Sequence, residues 1–127
     1  EQMDAGGAHY SGTVADVVAL VHGHLEEGIT LSVVAEALHV NKHYLCRLFK
    51  RETGMTVGGY INSARIARAK HLLRHTECSV SAVADSSGFN ELSGFTKSFK
   101  KEVGMTPTEY KSYVRGHAMQ GGSIWRS

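Results

Sequence analysis

The chain has 127 residues, 42% of them hydrophobic, with one proline and two cysteines. That length suits one domain, or two small subdomains sharing an element, rather than a multidomain enzyme, and the composition excludes global disorder and a disulfide scaffold. The net charge of +2 conceals a segregation: residues 1–41 carry six acids and no Lys or Arg, giving −6, whereas residues 42–127 carry 14 bases and six acids, giving +8.

Residues 1–12, with Gly6, Gly7 and Gly12, read as a linker. Val14, Val17, Val18, Val21 and Leu25 recur at helical spacing, which predicts an amphipathic helix over about Thr13 to Glu27. Thr30 is placed to cap a second helix carrying Leu31, Val34, Ala35 and Leu38, with the small Ala35 suited to a close helix crossing. Asn41 is placed to cap a third, whose buried stripe is Leu45, Leu48 and Phe49 and whose end falls at Gly54. From Val57 to about His75 a long helical pattern carries Ile61, Ala64, Ile66, Ala69, Leu72 and Leu73 without a proline.

Ser79 then caps a helix with Val80, Val83 and Ala84, and Gly88-Phe89 makes a turn. The next helix buries Phe95 and Phe99 and closes at Gly104. Thr106-Pro107-Thr108-Glu109 is a helix start with a capping threonine, proline at the first helical position and glutamate where a capping box needs it. Tyr110, Tyr113 and Val114 are expected to pack inward from this last helix, and residues 116–127 read as a tail. The expected fold is all-α, with seven helices and no strand.

The chain repeats itself. Phe49-Lys-Arg-Glu-Thr-Gly-Met-Thr-Val-Gly-Gly-Tyr60 returns as Phe99-Lys-Lys-Glu-Val-Gly-Met-Thr-Pro-Thr-Glu-Tyr110, identical at seven of twelve positions. Unrelated segments share about one such position at ordinary residue frequencies. Upstream of the turn the offset shortens from 50 to 49, pairing Val34 with Val83 and Ala35 with Ala84. Two helices joined by a short turn, the first rich in small residues and the second basic on its outward face, form a helix-turn-helix pattern. The division expected is a first unit over 13–56, a linker helix over 57–75 and a second unit over 76–115.

With these residues in view the chain resembles the DNA-binding domain of the AraC/XylS family of bacterial transcription regulators, over roughly residues 13–114. The resemblance rests on Ala84-x3-Gly88-Phe89, on Phe95-x3-Phe99-Lys100, on Gly104-x-Thr-Pro107-x2-Tyr110 and on Arg65-Ile-Ala-Arg-Ala-Lys-His-Leu-Leu73. It implies double-stranded DNA as partner, with both recognition helices entering major-groove segments on one face of the duplex, about one turn or ~34 Å apart. It places base contacts on His43, Cys46 and Arg47 in the first unit and on Leu92, Ser93, Thr96 and Lys97 in the second. Asn41, Lys42, Tyr44, Lys50, Arg51, Lys100 and Lys101 fall to phosphates or to framing the site. The family's usual role, activation beside RNA polymerase and less often repression, implies that enzyme as a second partner.

The residue types suit these tasks. Arg47 can donate two hydrogen bonds to O6 and N7 of guanine, worth about 1–3 kcal/mol of discrimination, and Lys97 can do likewise less rigidly. The alternative for both is a phosphate contact without base readout. Thr96 and Leu92 offer apolar contact to a thymine methyl. Two departures from the family stand out. Gly94 replaces a common tyrosine at a cost of about 1 kcal/mol in helix propensity, implying a frayed start or an unusually close contact. His39 takes a turn position where glycine is usual, and Gly88 keeps it in the second copy.

Other chemistry finds little footing. His71, His75 and Cys78 could converge on a metal but lack a clear fourth ligand, so neither metal nor other cofactor is expected. No paired carboxylates, phosphate-cradling glycine loop or nucleophile–histidine–acid pattern stands at meaningful spacing, so no enzyme activity is expected. No signal segment is visible and no apolar run approaches the ~18 residues of a membrane helix. The expectation is a cytoplasmic protein without a membrane partner. Because the chain begins with Glu1 on a linker-like stretch, it is expected to be the carboxyl-terminal domain of a longer regulator with an amino-terminal sensor and dimerisation domain. The competing class is a helical protein-interaction module docking on RNA polymerase or a sensor domain.

Overall fold

A computed structural model describes residues 12–119, with side chains through residue 116; the linker reading for residues 1–11 and most of the expected tail lie outside them. The elements are α1 (Gly12–Gly23), α2 (Leu31–Ala37), α3 (Lys42–Thr53), α4 (Val57–His75), α5 (Val80–Ser86), α6 (Leu92–Val103) and α7 (Pro107–Met119), and there is no strand among the described residues. The chain divides into two compact units that meet within α4, between Ile61 and Asn62.

The helix starts are set by side-chain caps. Thr30 Oγ1 accepts from Val33 N at 3.3 Å, and Asn41 Oδ1 accepts from His43 N at 2.8 Å and Tyr44 N at 3.2 Å. Ser79 Oγ accepts from Ala82 N at 3.1 Å. Each satisfies backbone donors that have no partner inside their own helix. At α7 the capping box is complete: Glu109 N donates to Thr106 Oγ1 at 3.1 Å, while Thr106 N donates to Glu109 Oε1 at 2.9 Å. At the start of α4 only half of it exists, because Gly59 stands where Glu109 does; Gly59 N donates to Thr56 Oγ1 at 2.9 Å. α6 starts from Glu91 with no side-chain cap.

In the first unit α1, α2 and α3 pack against one another. Val14, Val17, Val21, Leu25, Ile29, Val34, Ala35, Leu45, Leu48, Phe49, Val57 and Ile61 are its buried apolar residues. The second unit buries Ile66, Ala69, Leu73, Val83, Ala84, Phe95, Phe99 and Tyr110 as one cluster. The repeat is physical as well as textual: Phe49–Tyr60 and Phe99–Tyr110 both meet edge to face, with centroids 5.5 Å apart.

Both turns close in the same way. Val40 N donates to Ala35 O at 3.0 Å and His39 N to Glu36 O at 3.2 Å; in the second unit Phe89 N donates to Ala84 O at 3.0 Å and Gly88 N to Asp85 O at 3.1 Å. This is the paired pattern of a helix ending on a left-handed residue. His39 supplies that residue at φ 57° and Gly88 at φ 92°.

Four expectations are corrected. The first helix stops at Gly23, and Leu25–Glu27 form a separate 3-10 turn ending on Gly28 at φ 70°. Leu25 keeps the apolar spacing and is buried, but from the turn. α7 continues through Gly116 to Met119, so the first four residues of the expected tail are helical. Tyr113 is 45% exposed rather than packed inward, while Tyr110 is buried and Val114 half-buried. Gly94 makes no close contact: a Cβ there would meet nothing within 4 Å, and α6 is helical through it.

Candidate nucleic-acid interface

On α3 the 3.6-residue period sends Leu45, Leu48 and Phe49 inward and leaves Lys42, His43, Tyr44, Arg47, Lys50 and Arg51 exposed, with Cys46 half-buried between the two sets. On α6 the same arithmetic buries Phe95 and Phe99 and exposes Leu92, Ser93, Lys97, Lys100 and Lys101, with Thr96 half-buried. Each unit therefore presents one outward face from the second helix of its pair. Arg47 and Lys97 hold equivalent places on those faces, as do Lys50 with Lys100 and Arg51 with Lys101.

The two faces differ in how their first turns are held. Asn41 Oδ1 is committed to the backbone of His43 and Tyr44, leaving its amide nitrogen as the free donor. Lys42 Nζ donates to Ser32 Oγ at 3.1 Å, tying the start of α3 to α2. Leu92, at the start of α6, stands 48% exposed, and Tyr44 is 47% exposed. An apolar and an aromatic side chain held in solvent on a basic helix face suit contact with base edges or sugars better than they suit bulk water.

Sequence reasoning gave no role to Arg65 and Arg68 beyond the pattern of the fourth helix. Both are half-buried in the second unit: Arg65 Cζ lies 5.8 Å from the Phe89 ring centroid, and Arg68 Nε donates to Ser86 O at 2.9 Å. Burial pulls the Arg65 pKa down from its usual value. A pair of arginines three apart on a helix reads as a solvated face, so only the absence of counterparts in α1 could have flagged them.

The His71 and His75 rings lie side by side, tilted by 45° with centroids 4.6 Å apart, yet among the described residues no three His, Cys, Asp or Glu side chains come together to hold a metal. Cys78 is exposed, and its carbonyl accepts from Lys111 Nζ at 3.0 Å. No described helix is long and apolar enough to cross a membrane.

A family model described as a helix-turn-helix domain matches residues 34–113. The chain is 32% identical over 108 residues, 85% of its length, to the uncharacterized regulator YtdP of Bacillus subtilis. It is 36% identical over 99 residues, 78% of its length, to the transcriptional activator RhaR of Enterobacter sp.. It spans only 14% and 35% of those relatives' own lengths. Among solved structures, the DNA-binding domain of AdpA in complex with a target DNA superposes with a TM-score of 0.81 at 26% identity, covering 87% of this chain and 99% of that one. The chain belongs to the AraC/XylS family of helix-turn-helix transcription regulators, as a DNA-binding domain of that type.

Proposed function

We propose that the chain reads double-stranded DNA with both units at once, α3 entering one major-groove segment and α6 the next, with α4 setting a separation of about one turn, ~34 Å. The observation that carries this reading is the duplicated outward face, with a guanidinium at Arg47 and an ammonium at Lys97 exposed in equivalent places on two packed helices. His43, Cys46 and Arg47 from α3, and Leu92, Ser93, Thr96 and Lys97 from α6, are the proposed base-reading set. Asn41, Lys42, Tyr44, Lys50, Arg51, Lys100 and Lys101 are the proposed phosphate and framing set. The exposed basic residues in the last turns of α3 and α6 support that division, because charge aimed at phosphates needs reach but no fixed geometry.

Within a longer regulator this domain would act beside RNA polymerase in the cytoplasm, under control of an amino-terminal sensor and dimerisation domain; the small share of its relatives' lengths that it spans supports this. Activation is the proposed sign, after the relative named an activator. No catalytic step is part of the role. Gel-shift titration against random-sequence duplexes at two salt concentrations tests the reading. Selected duplexes should bind more tightly than the random pool, and affinity should fall steeply with salt. A helical module that only docks on protein would show no duplex preference.

A further inference from the structure

We infer that Arg65 and Arg68 are positioning residues that aim α6, and with it the reading of the second DNA segment. The inference rests on the proposed role of α6 in base recognition.

The last carbonyls of α5 are accounted for one by one. Val83 O accepts from Ser87 N, Ala84 O from Phe89 N, and Asp85 O from Gly88 N. Ser86 is the final helical residue, and its carbonyl takes the Arg68 guanidinium at 2.9 Å. A cation at the carboxyl end of a helix satisfies an acceptor that lacks an intrahelical partner and meets the negative end of the helix dipole. Arg68 thereby ties α4 to the residue just before the turn.

Arg65, one helical turn earlier on α4, holds the other side of that turn. Its guanidinium lies over the Phe89 ring at 5.8 Å, within the range of a cation–π contact. Phe89 packs on Phe95 at 5.0 Å, and Phe95 on Phe99 at 5.6 Å. The line from Arg65 thus runs through the turn into the buried stripe of α6, directly beside Thr96 and Lys97. Two arginines on one helix grip the turn on both sides of Gly88, the residue whose freedom lets α6 change direction.

The helix before the first turn carries no arginine to match Arg65 or Arg68. No Lys or Arg precedes residue 42, and the place of Phe89 is taken by Val40 and that of Phe95 by Leu45. The arginine pair that holds the turn before α6 therefore has no counterpart of its own kind before α3.

The experiment begins with duplexes selected by the wild-type chain. The base positions whose preference is lost in Lys97→Ala, and those lost in Arg47→Ala, mark the α6-read and α3-read segments. Arg68→Ala should then lose about tenfold in preference at the α6-read positions, the worth of one hydrogen bond to a charged group. It should keep the α3-read preference. Arg68→Lys, which can still donate to Ser86 O, should recover part of the loss, and Arg65→Gln should resemble Arg68→Ala. Equal loss at both segments, or no loss at either, overturns the inference. Amide hydrogen exchange without DNA gives an independent readout: Arg68→Ala should speed exchange from Gly88 through Phe95 while α3 stays unchanged. Should the wild-type chain select no duplex, the DNA reading falls, and unaltered exchange at the turn would overturn the clamp separately.

Discussion

His39 and Gly88 occupy the same position in the two turns, each in left-handed backbone and each followed by a residue whose N–H returns to the alanine five residues back. Glycine adopts that conformation freely, whereas a side chain there costs about 1–2 kcal/mol. His39→Gly should therefore raise stability by about 1 kcal/mol, and Gly88→Ala should lower it by a similar amount. Urea denaturation of the two variants checks both signs; a destabilised His39→Gly would mean that the imidazole makes a contact outweighing the strain.

Gly94 offers a second gain. Its missing side chain would enter open space, so Gly94→Ala should stabilise by about 0.5–1 kcal/mol through backbone entropy alone. A lowered melting temperature would show that α6 needs the glycine for another reason.

Ser87 is wholly buried, and its hydroxyl has no hydrogen-bond partner among the described residues. Burying an unsatisfied hydroxyl costs about 1–3 kcal/mol. Ser87→Ala removes the group with little change in volume and should be neutral or more stable by denaturant midpoint. A loss above about 1 kcal/mol would mean the oxygen is bonded after all.

The capping box of α7 carries a pH signature. The bond from Thr106 N holds the exposed Glu109 carboxyl below its usual pKa, with the neighbouring Lys100 adding to the effect. A depressed folded value means stabilisation that is complete above the unfolded carboxylate value of about 4.3 and lost as pH falls through the lower folded value. Wild type and Glu109→Ala should thus differ in melting temperature at neutral pH and converge as pH falls below the unfolded carboxylate value. A gap of constant size across that range would exclude the charge as its source.

Base reading and phosphate binding separate in one pair of variants. Arg47→Ala should lose preference at one base position, by about 1–3 kcal/mol. Lys50→Ala should weaken all duplexes alike and flatten the dependence of affinity on salt. Uniform weakening by Arg47→Ala would assign that side chain to the backbone instead.

Much of this fold was legible because its signals were local. Thr30, Asn41, Ser79 and Thr106 cap the helices whose sequences announce them, and Gly54 and Gly104 end helices in left-handed backbone. Apolar spacing failed where burial and helicity part company: Leu25 is buried from a 3-10 turn, and Tyr113 keeps helical register yet faces solvent. The outward residues of α3 and α6 were legible from period and repeat. Arg65 and Arg68 were not, because a bond to a carbonyl 18 residues away leaves no trace in spacing.

The duplication has not stayed symmetric. Lys42, His43 and Cys46 on one face answer to Leu92, Ser93 and Thr96 on the other. If both faces read DNA as proposed, a lone copy of this domain has a left hand and a right hand. Its site then needs no palindrome, and the bound molecule points one way along the duplex. The order in which a duplex spells the two half-sites would then set the direction in which the domain lies along it.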